Sequence, residues 1–548
     1  MAFPSVSTVV SIVVAYSLLF AVLRRPWTAL GIAVYLLGFV LLSSFVKQAY
    51  LGMAITLADM HFFLLRPVEN FKLFVAYPVL GATLVGVVAG IALCLTVGLR
   101  FERPLHLLAQ PRTGRWVRFA IAAAAMTLAA GASITADQRT HARADDGDAY
   151  MAFLAMYEQQ HPGGLMGRIN VFFNNRSFAA TLPPARAQSR FAVDNSVTVE
   201  PAVRPDILLV LEESTFDATL IKKCPRAACD NAMLHPLPGV ARTRQGPLLV
   251  HTTGGGTWLA EFAIMSGFDW RIFGRGGAYA PVSLAPRLQQ SLPKHLRSLG
   301  YRTVAVYPTD GNFLSAQTAY DYYGFDEFYD RRELGLPDEW GDTRDGMVFD
   351  KALTLPHVAG DTRPVFLFVL TIRNHGPHGG VVEKFPKAFG NAAKLTSVEL
   401  ADYLSRMRDS SLDFVALANR WLNSSRPRVL AWFGDHQPEA AWNFTAHAEQ
   451  LDAARVAGNV AGEQLKYLTH YQFSANFGAR EQLLERDALD VAYLGGELLQ
   501  FSALPLDAGV VAGRQVAAAC KGLLSDCEDR ALIGDYLAFR IHELGAVQ

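Results

Sequence analysis

The chain has 548 residues, 51% of them hydrophobic and only 18% charged, a balance that excludes intrinsic disorder and is too apolar for an ordinary soluble enzyme. Fifty basic residues against fifty acidic ones leave no net charge, so nucleic-acid binding through a polycationic surface is disfavoured. At this length two or more structural units are expected.

The excess apolarity lies at the N-terminus. Residues 7–23, 27–46, 73–99 and 119–136 carry no charged side chain. Each is close to or above the roughly 18–20 residues that cross a bilayer, so four transmembrane helices are predicted within 1–136. The connection between the third and fourth carries Arg100, Arg103, Arg112, Arg115 and Arg118 against a single acid, Glu102. Positive charge stays inside, which places this connection, together with Arg24 and Arg25, in the cytoplasm. The N-terminus and everything after about Ala136 then lie on the periplasmic, extracytoplasmic side of a multi-pass inner-membrane protein. Lys47–Phe71, interrupted by Asp59, His61, Arg66 and Glu69, reads as an interfacial helix on that outer face. The small residues ending the fourth span, with Ile134-Thr135-Ala136, imitate a signal-peptidase site and leave processing there open.

Residues 137–204 are polar and mixed, broken at His161–Gly164 and Leu182–Pro184, and read as a linker. From Pro205 short apolar runs alternate with helical patterns: Ile207–Leu211, Thr303–Tyr307, Val365–Leu370 and Val429–Phe433. Uninterrupted apolar runs of this length are strands buried on both faces, so 205–548 is predicted to be an α/β domain with a mostly parallel central sheet. Cysteine usage agrees with export. Cys94 lies in the third span, and the other four form two close pairs, Cys224/Cys229 and Cys520/Cys527. Neither spacing is that of a Cys-x-x-Cys metal site, so two short-range disulfides are predicted.

Ligands of such sheets bind beyond the carboxyl ends of the strands, and polar residues collect there. The first strand runs into Glu212-Glu213-Ser214. The third predicted strand leads to Asn374-His375-Gly376-Pro377-His378, and the last to Gly434-Asp435-His436-Gln437-Pro438. Two carboxylates and an imidazole suit one divalent ion, Mn2+ or Zn2+, with Mg2+ disfavoured by the nitrogen ligand. Taken singly, each piece reads as a helix cap or a turn. Gly254-Gly255-Gly256-Thr257 precedes a helical pattern whose free N–H groups favour a phosphate. Thr257 there has two readings: an ordinary N-cap, or a nucleophile activated by a neighbouring metal. Trp340, Arg344 and Asp345, between site strands, are candidate pocket residues.

In this order the motifs resemble the sulfatase/alkaline-phosphatase superfamily, and within it the membrane-bound lipoteichoic acid synthase and phosphoglycerol transferase group. The resemblance rests on Leu211–Ser214, Gly255–Phe262, Gly324–Asp330, Asn374–Pro377, Gly434–Pro438 and Tyr467–Tyr471, and covers about 205–478. It implies that Glu213, Asp435, His436 and Thr257 hold the metal and that Thr257 attacks the phosphorus of a lipid head group. It also implies that His375 holds the phosphate or protonates the leaving oxygen, with His378 a weaker candidate that reads as a surface-loop residue. Glu213 is preferred over Glu212 because it directly precedes Ser214. Asp206 reads as an ordinary strand-start residue. The implied activity is transfer of phosphoglycerol from phosphatidylglycerol to a glycan or polyol through a phospho-threonine. One segment departs from the group's pattern. Tyr307–Gln317 lacks the His and Arg that touch the head group in relatives, so another base replaces them or the donor differs; Asp310 and Asn312 would suit an amine or hydroxyl. The alternatives are a phosphoethanolamine transferase using phosphatidylethanolamine, a sulfatase-like hydrolase or phosphodiesterase, and a non-catalytic membrane sensor.

Overall fold

The computed structural model describes residues 6–51, 78–106 and 113–125 of the N-terminal part, isolated positions up to 202, and 203–548 apart from 222–223, 225, 338–342, 360–361, 380–397, 439–456 and 461. The chain forms two compact units, Met1–Phe178 and Ala179–Gln548.

In the first unit, α1 (Val6–Leu23) and α2 (Pro26–Leu51) cover the first two predicted spans, and α3 (Pro78–Phe101) covers the third from residue 78 on, 73–77 lying outside the described residues. Among the described residues, Pro26–Phe45 and Gly81–Phe101 are long and apolar enough to cross a membrane. The helix over 113–125 begins the fourth predicted span. Its remainder, most of Lys47–Phe71, Ile134–Ala136 and nearly all of the linker lie outside the described residues. Glu102 caps α2: its carboxylate accepts from the amides of Trp27 and Thr28 at 2.8 and 2.7 Å. Arg25 Nε donates to the Glu102 carbonyl at 2.8 Å. The Arg24–Arg25 turn and the start of the arginine-rich connection therefore meet at the same end of these helices.

The second unit is built on a nine-stranded mixed sheet. Its strands are β1 (Asp206–Glu212), β2 (Arg242–Leu249), β3 (Arg302–Val306), β4 (Glu327–Tyr329), β5 (Val365–Leu370), β6 (Arg428–Gly434), β7 (Leu468–Ala475), β8 (Glu481–Leu484) and β9 (Leu489–Asp490). The order is β4-β3-β5-β1-β6-β7-β2-β8, with β9 also on β2. β3, β5, β1 and β6 are the four predicted strands; they are contiguous, parallel and buried along their length. β7 runs antiparallel to β6 and to β2.

Successive side chains of β1 face opposite sides. Leu208 and Val210 enter a core with α5 (Asp345–Thr354) and α6 (Val398–Leu422), through Val348, Phe349, Phe414 and Trp421. On the opposite face, Phe366 and Phe368 of β5 stack with Phe325 and Tyr320. Asp206 is no ordinary strand start: it is buried, paired with Arg426 (2.8 Å) and Arg428 (3.5 Å), and accepts the Val365 amide. Beyond β9, α6's counterpart at the C-terminal end is a trio of helices, α7 (Val491–Phe501), α8 (Ala508–Ala519) and α9 (Arg530–Ala538). Both predicted disulfides are formed, Cys224–Cys229 and Cys520–Cys527.

Candidate active site

The register of the sheet brings the site together. Leu211 lies opposite Leu370, and Glu212 opposite Gly434, so Glu213, Thr371 and Asp435 leave the sheet side by side. Gly434 has no room for a side chain, since a Cβ would lie 1.8 Å from the Thr215 carbonyl oxygen. Strand alternation separates the two glutamates. Glu212 accepts from Thr371 Oγ1 at 3.2 Å and faces Asp345 and Asp413 on the α5–α6 side. Glu213 turns the other way, towards Asp435 and His436.

Glu213, Asp435 and His436 are each at most 3% exposed, and one ligand atom from each lies within 4.8 Å of the others. His436 Nε2 is 3.1 Å from Asp435 Oδ2 and 3.6 Å from Glu213 Oε1. Its other nitrogen, Nδ1, is 3.1 Å from the Gln437 carbonyl, which only accepts, so Nδ1 carries the proton and Nε2 presents a lone pair. Asp435 Oδ2 is buried without a hydrogen-bond donor among the described residues. Burial, then the Asp435 carboxylate, push Glu213 up to about 8. Three electron-rich groups converging out of water call for a cation, and the mixed oxygen and nitrogen donors fit a divalent ion. Neighbouring groups fix the ligands: Ser214 Oγ donates to Glu213 Oε1 (2.7 Å), and the amides of Ser214 and His436 donate to Asp435 Oδ1 (2.8 and 2.9 Å). Gln437 Nε2 donates to the carbonyls of Leu465 and Leu468, tying the Asp-His loop to the start of β7.

Thr257 is the first residue of α4 (Thr257–Ser266), and this corrects the N-cap reading. Gly256 occupies the cap position with φ 92°, a left-handed conformation that suits glycine. The threonine hydroxyl points to the acidic cluster instead: Oγ1 is 3.3 Å from Glu213 Oε2 and 3.4 Å from His436 Nε2.

Residues 205–467 match the family model described as Sulfatase. That segment is a sulfatase-family domain. The chain is 30% identical over 346 residues to an uncharacterized protein of Haemophilus influenzae, the match covering 61% of this chain and 60% of that one. It is 25% identical over 265 residues to a putative cyclic beta-1,2-glucan modification protein of Rhizobium meliloti, covering 46% and 39%. The match thus spans less than two thirds of the length of either relative. Among solved structures, phosphoglycerol transferase GacH of Streptococcus pyogenes, in complex with sn-glycerol-1-phosphate, aligns at 17% identity with a TM-score of 0.47, over 62% of this chain and 86% of that one.

The other sequence-derived candidates of the sulfatase-family domain fall in several places. His375 sits on the loop after β5, half-buried, with Nδ1 2.5 Å from the Gly376 carbonyl. Burial lowers its pKa, against the pull of that carbonyl and of Asp435. His378 is not a surface histidine: Nε2 is 3.0 Å from the Asn374 carbonyl, the ring packs edge-on against Tyr403 at 5.5 Å, and burial brings it down to about 4. Asp310 accepts the Asn312 amide at 2.9 Å and pairs with Arg332, so the loop after β3 meets a base from the segment after β4. Arg344 grips Asp413 with its fork at 2.8 and 3.0 Å. Asp345 is wholly buried and accepts from the amides of Ile372 and Arg373, which shapes the His375 loop from beneath. Trp340 lies outside the described residues.

Sequence reasoning missed the supports of that loop. Arg406 on α6, 7% exposed on its side chain and paired with Asp402, donates to the His375 carbonyl at 3.0 Å and to the Pro377 carbonyl at 3.4 Å. Asn374 is fully buried, with Nδ2 3.3 Å from Thr215 Oγ1 and Oδ1 accepting from Ser410. The one signal available was the Arg-Asp spacing of Asp402 and Arg406, which places both on one face of a helix.

Proposed function

We propose that the protein is a membrane-anchored, metal-dependent phosphotransferase that moves phosphoglycerol from phosphatidylglycerol to an extracytoplasmic glycan or polyol. The observation that carries it is Thr257 Oγ1, held at the start of α4 within 3.4 Å of both Glu213 and His436. Glu213, Asp435, His436 and the Thr257 oxygen would hold one divalent ion, Mn2+ or Zn2+, which when bound lowers the pKa of the threonine hydroxyl and neutralises phosphate charge. The free N–H groups of α4 face an incoming phosphate. Thr257 Oγ attacks phosphorus, an O–P bond forms, and the P–O bond to diacylglycerol breaks. His375 would give the departing oxygen its proton. An acceptor hydroxyl then attacks the same phosphorus and returns the oxygen to Thr257. Such chemistry needs positioning and charge neutralisation, both of which this site offers.

The glycan acceptor is supported by the putative glucan modification protein among the relatives. Phosphoglycerol is preferred over phosphoethanolamine because Asp310, the carboxylate of the loop that would meet an amine, is already neutralised by Arg332. A threonine nucleophile argues against a sulfatase, whose formylglycine comes from Cys or Ser. The test is mass spectrometry of the purified protein incubated with Mn2+ and phosphatidylglycerol. A glycerophosphoryl adduct on Thr257, absent from Thr257→Ala, is expected. An ethanolamine adduct formed only from phosphatidylethanolamine would replace this donor by the other, and no adduct from either lipid by metal-loaded protein would end the transferase reading.

A further inference from the structure

Immediately before the nucleophile loop lies a buried charge cluster that the proposed chemistry does not use. His251, two residues past β2, is 3% exposed, and its ring lies between two fully buried carboxylates. Nε2 is 2.9 Å from Asp490 Oδ1, and Nδ1 is 3.4 Å from Asp269 Oδ1. Asp490 caps α7 through the Ala492 amide at 3.0 Å, and its own amide donates to the Gly522 carbonyl at 2.8 Å. Asp269 is gripped by Arg271, whose Nε is 2.9 and 2.8 Å from the two carboxylate oxygens, and it accepts from Ser525 Oγ. Arg271 Nη2 also donates to Ser525 Oγ. Against the cost of burial, Arg271, His251 and these hydrogen bonds hold the Asp269 carboxyl well below the usual carboxylate range.

Ser525 and Gly522 both lie inside the loop closed by Cys520–Cys527. From His251 the chain needs only six residues to reach Thr257. Two backbone bonds steady that stretch, Val250 N to the Tyr467 carbonyl (2.9 Å) and Gly254 N to the Gln437 carbonyl (2.8 Å). These hold it to β7 and to the Asp-His loop. Through Nε2 the ring of His251 adds a third hold, to Asp490 at the start of α7, whose amide is itself bonded to Gly522 in the disulfide loop.

We propose that His251 is a positioning residue for Thr257, and that the Cys520–Cys527 loop, acting through Ser525 and Asp269, is the outer end of the clamp. The proposal rests on Thr257 being the nucleophile. An attacking oxygen must stand in line with the bond it breaks, and displacements near 1 Å cost on the order of a hundredfold in rate. The clamp makes no contact of its own with Glu213, Asp435 or His436, so loosening it should slow attack by Thr257 while leaving those three ligands in place.

The full-length protein in detergent is compared as wild type, His251→Asn, Ser525→Ala and the double variant Cys520→Ser/Cys527→Ser. Adduct formation on Thr257 is followed against phosphatidylglycerol concentration, Mn2+ affinity by titration, and amide exchange at 252–257 with Mn2+ bound. Expected is a fall of about tenfold or more in the saturating rate for His251→Asn, with half-saturating lipid unchanged, any loss of Mn2+ affinity smaller than that fall, and faster exchange at 252–257. Ser525→Ala and the cysteine variant should fall in the same direction, and reductant should slow wild type while leaving the cysteine variant where it is. A His251→Asn protein that binds Mn2+ normally and keeps both the wild-type rate and the wild-type exchange overturns the clamp. If wild type forms no adduct, the transferase reading fails by itself. The exchange comparison then still decides whether His251 holds the loop.

Discussion

Glu261, one helical turn beyond Thr257, shows how strongly burial acts in this domain. It is 4% exposed and accepts from Tyr320 Oη at 2.9 Å. Burial pushes its pKa from 4.5 up to about 8, although the tyrosine bond pulls it the other way. The folded protein therefore holds a proton that the unfolded chain has released between these two values. The stabilising contribution is complete below about pH 4.5 and is lost as pH rises towards 8. Glu261→Gln keeps an acceptor for Tyr320 and never ionises. The unfolding free energy of wild type, followed through its thermal midpoint, should fall relative to that of Glu261→Gln between pH 5 and 8, at a rate on the order of 1 kcal/mol per pH unit. Parallel midpoints across this range would show that Glu261 is ionised in the fold. At this scale the metal-binding candidates were legible because Glu213, Asp435 and His436 each lie within three residues of the end of an apolar run. The choice of Glu213 over Glu212 finds its physical reason in strand alternation. Arg406, Asp345 and Asn374 were not legible in their roles, because what they do depends on contacts with segments 28 to 159 residues away.

Among the elements, the four parallel strands were legible because burial on both faces writes an unbroken apolar run. β2 and β7 were hidden by the opposite circumstance. Arg242-Thr243-Arg244-Gln245-Gly246-Pro247 reads as a polar turn, yet Gln245 lies opposite Gln472 of β7, which donates to its side-chain oxygen at 2.6 Å. Polar strand residues satisfy each other across the ladder, and no single segment carries that information. The nucleophile loop was legible as a glycine-rich turn, but which residue caps the helix was decided by geometry. Gly256 takes that position at φ 92°, and a Cβ there would lie 3.1 Å from Thr252 Cγ2. Gly256→Ala should therefore lose about 1–2 kcal/mol of stability from the left-handed backbone alone. It should also slow adduct formation on Thr257, because relief of the strain moves the first turn of α4. Denaturation together with the adduct assay checks both. A variant with wild-type stability and rate would mean that the turn relaxes without moving the hydroxyl.

For the whole molecule, the disposition of charge and cysteine makes one coherent demand. The arginine-rich connection and the Arg24–Arg25 turn meet through Glu102, so one end of these helices accommodates both. The proposed phospholipid donor is confined to the bilayer, which would give an anchored domain its purpose. If the sulfatase-family domain is exported, its two disulfides form in an oxidising compartment and Cys94 alone stays reduced. Alkylation of the denatured protein, isolated under acid quench from its native membrane, should then modify one of the five cysteines. The remaining four should react only after reduction, at Cys224, Cys229, Cys520 and Cys527. Expression with the N-terminal unit removed, which retains the domain in a reducing cytosol, should leave those four reactive without reductant. Five reactive thiols in the membrane-borne protein would place the domain on the cytoplasmic side and remove the extracytoplasmic acceptor from the proposed reaction. One reactive thiol would place the disulfide-stapled domain in an oxidising compartment, the one in which the proposed transfer needs its glycan acceptor.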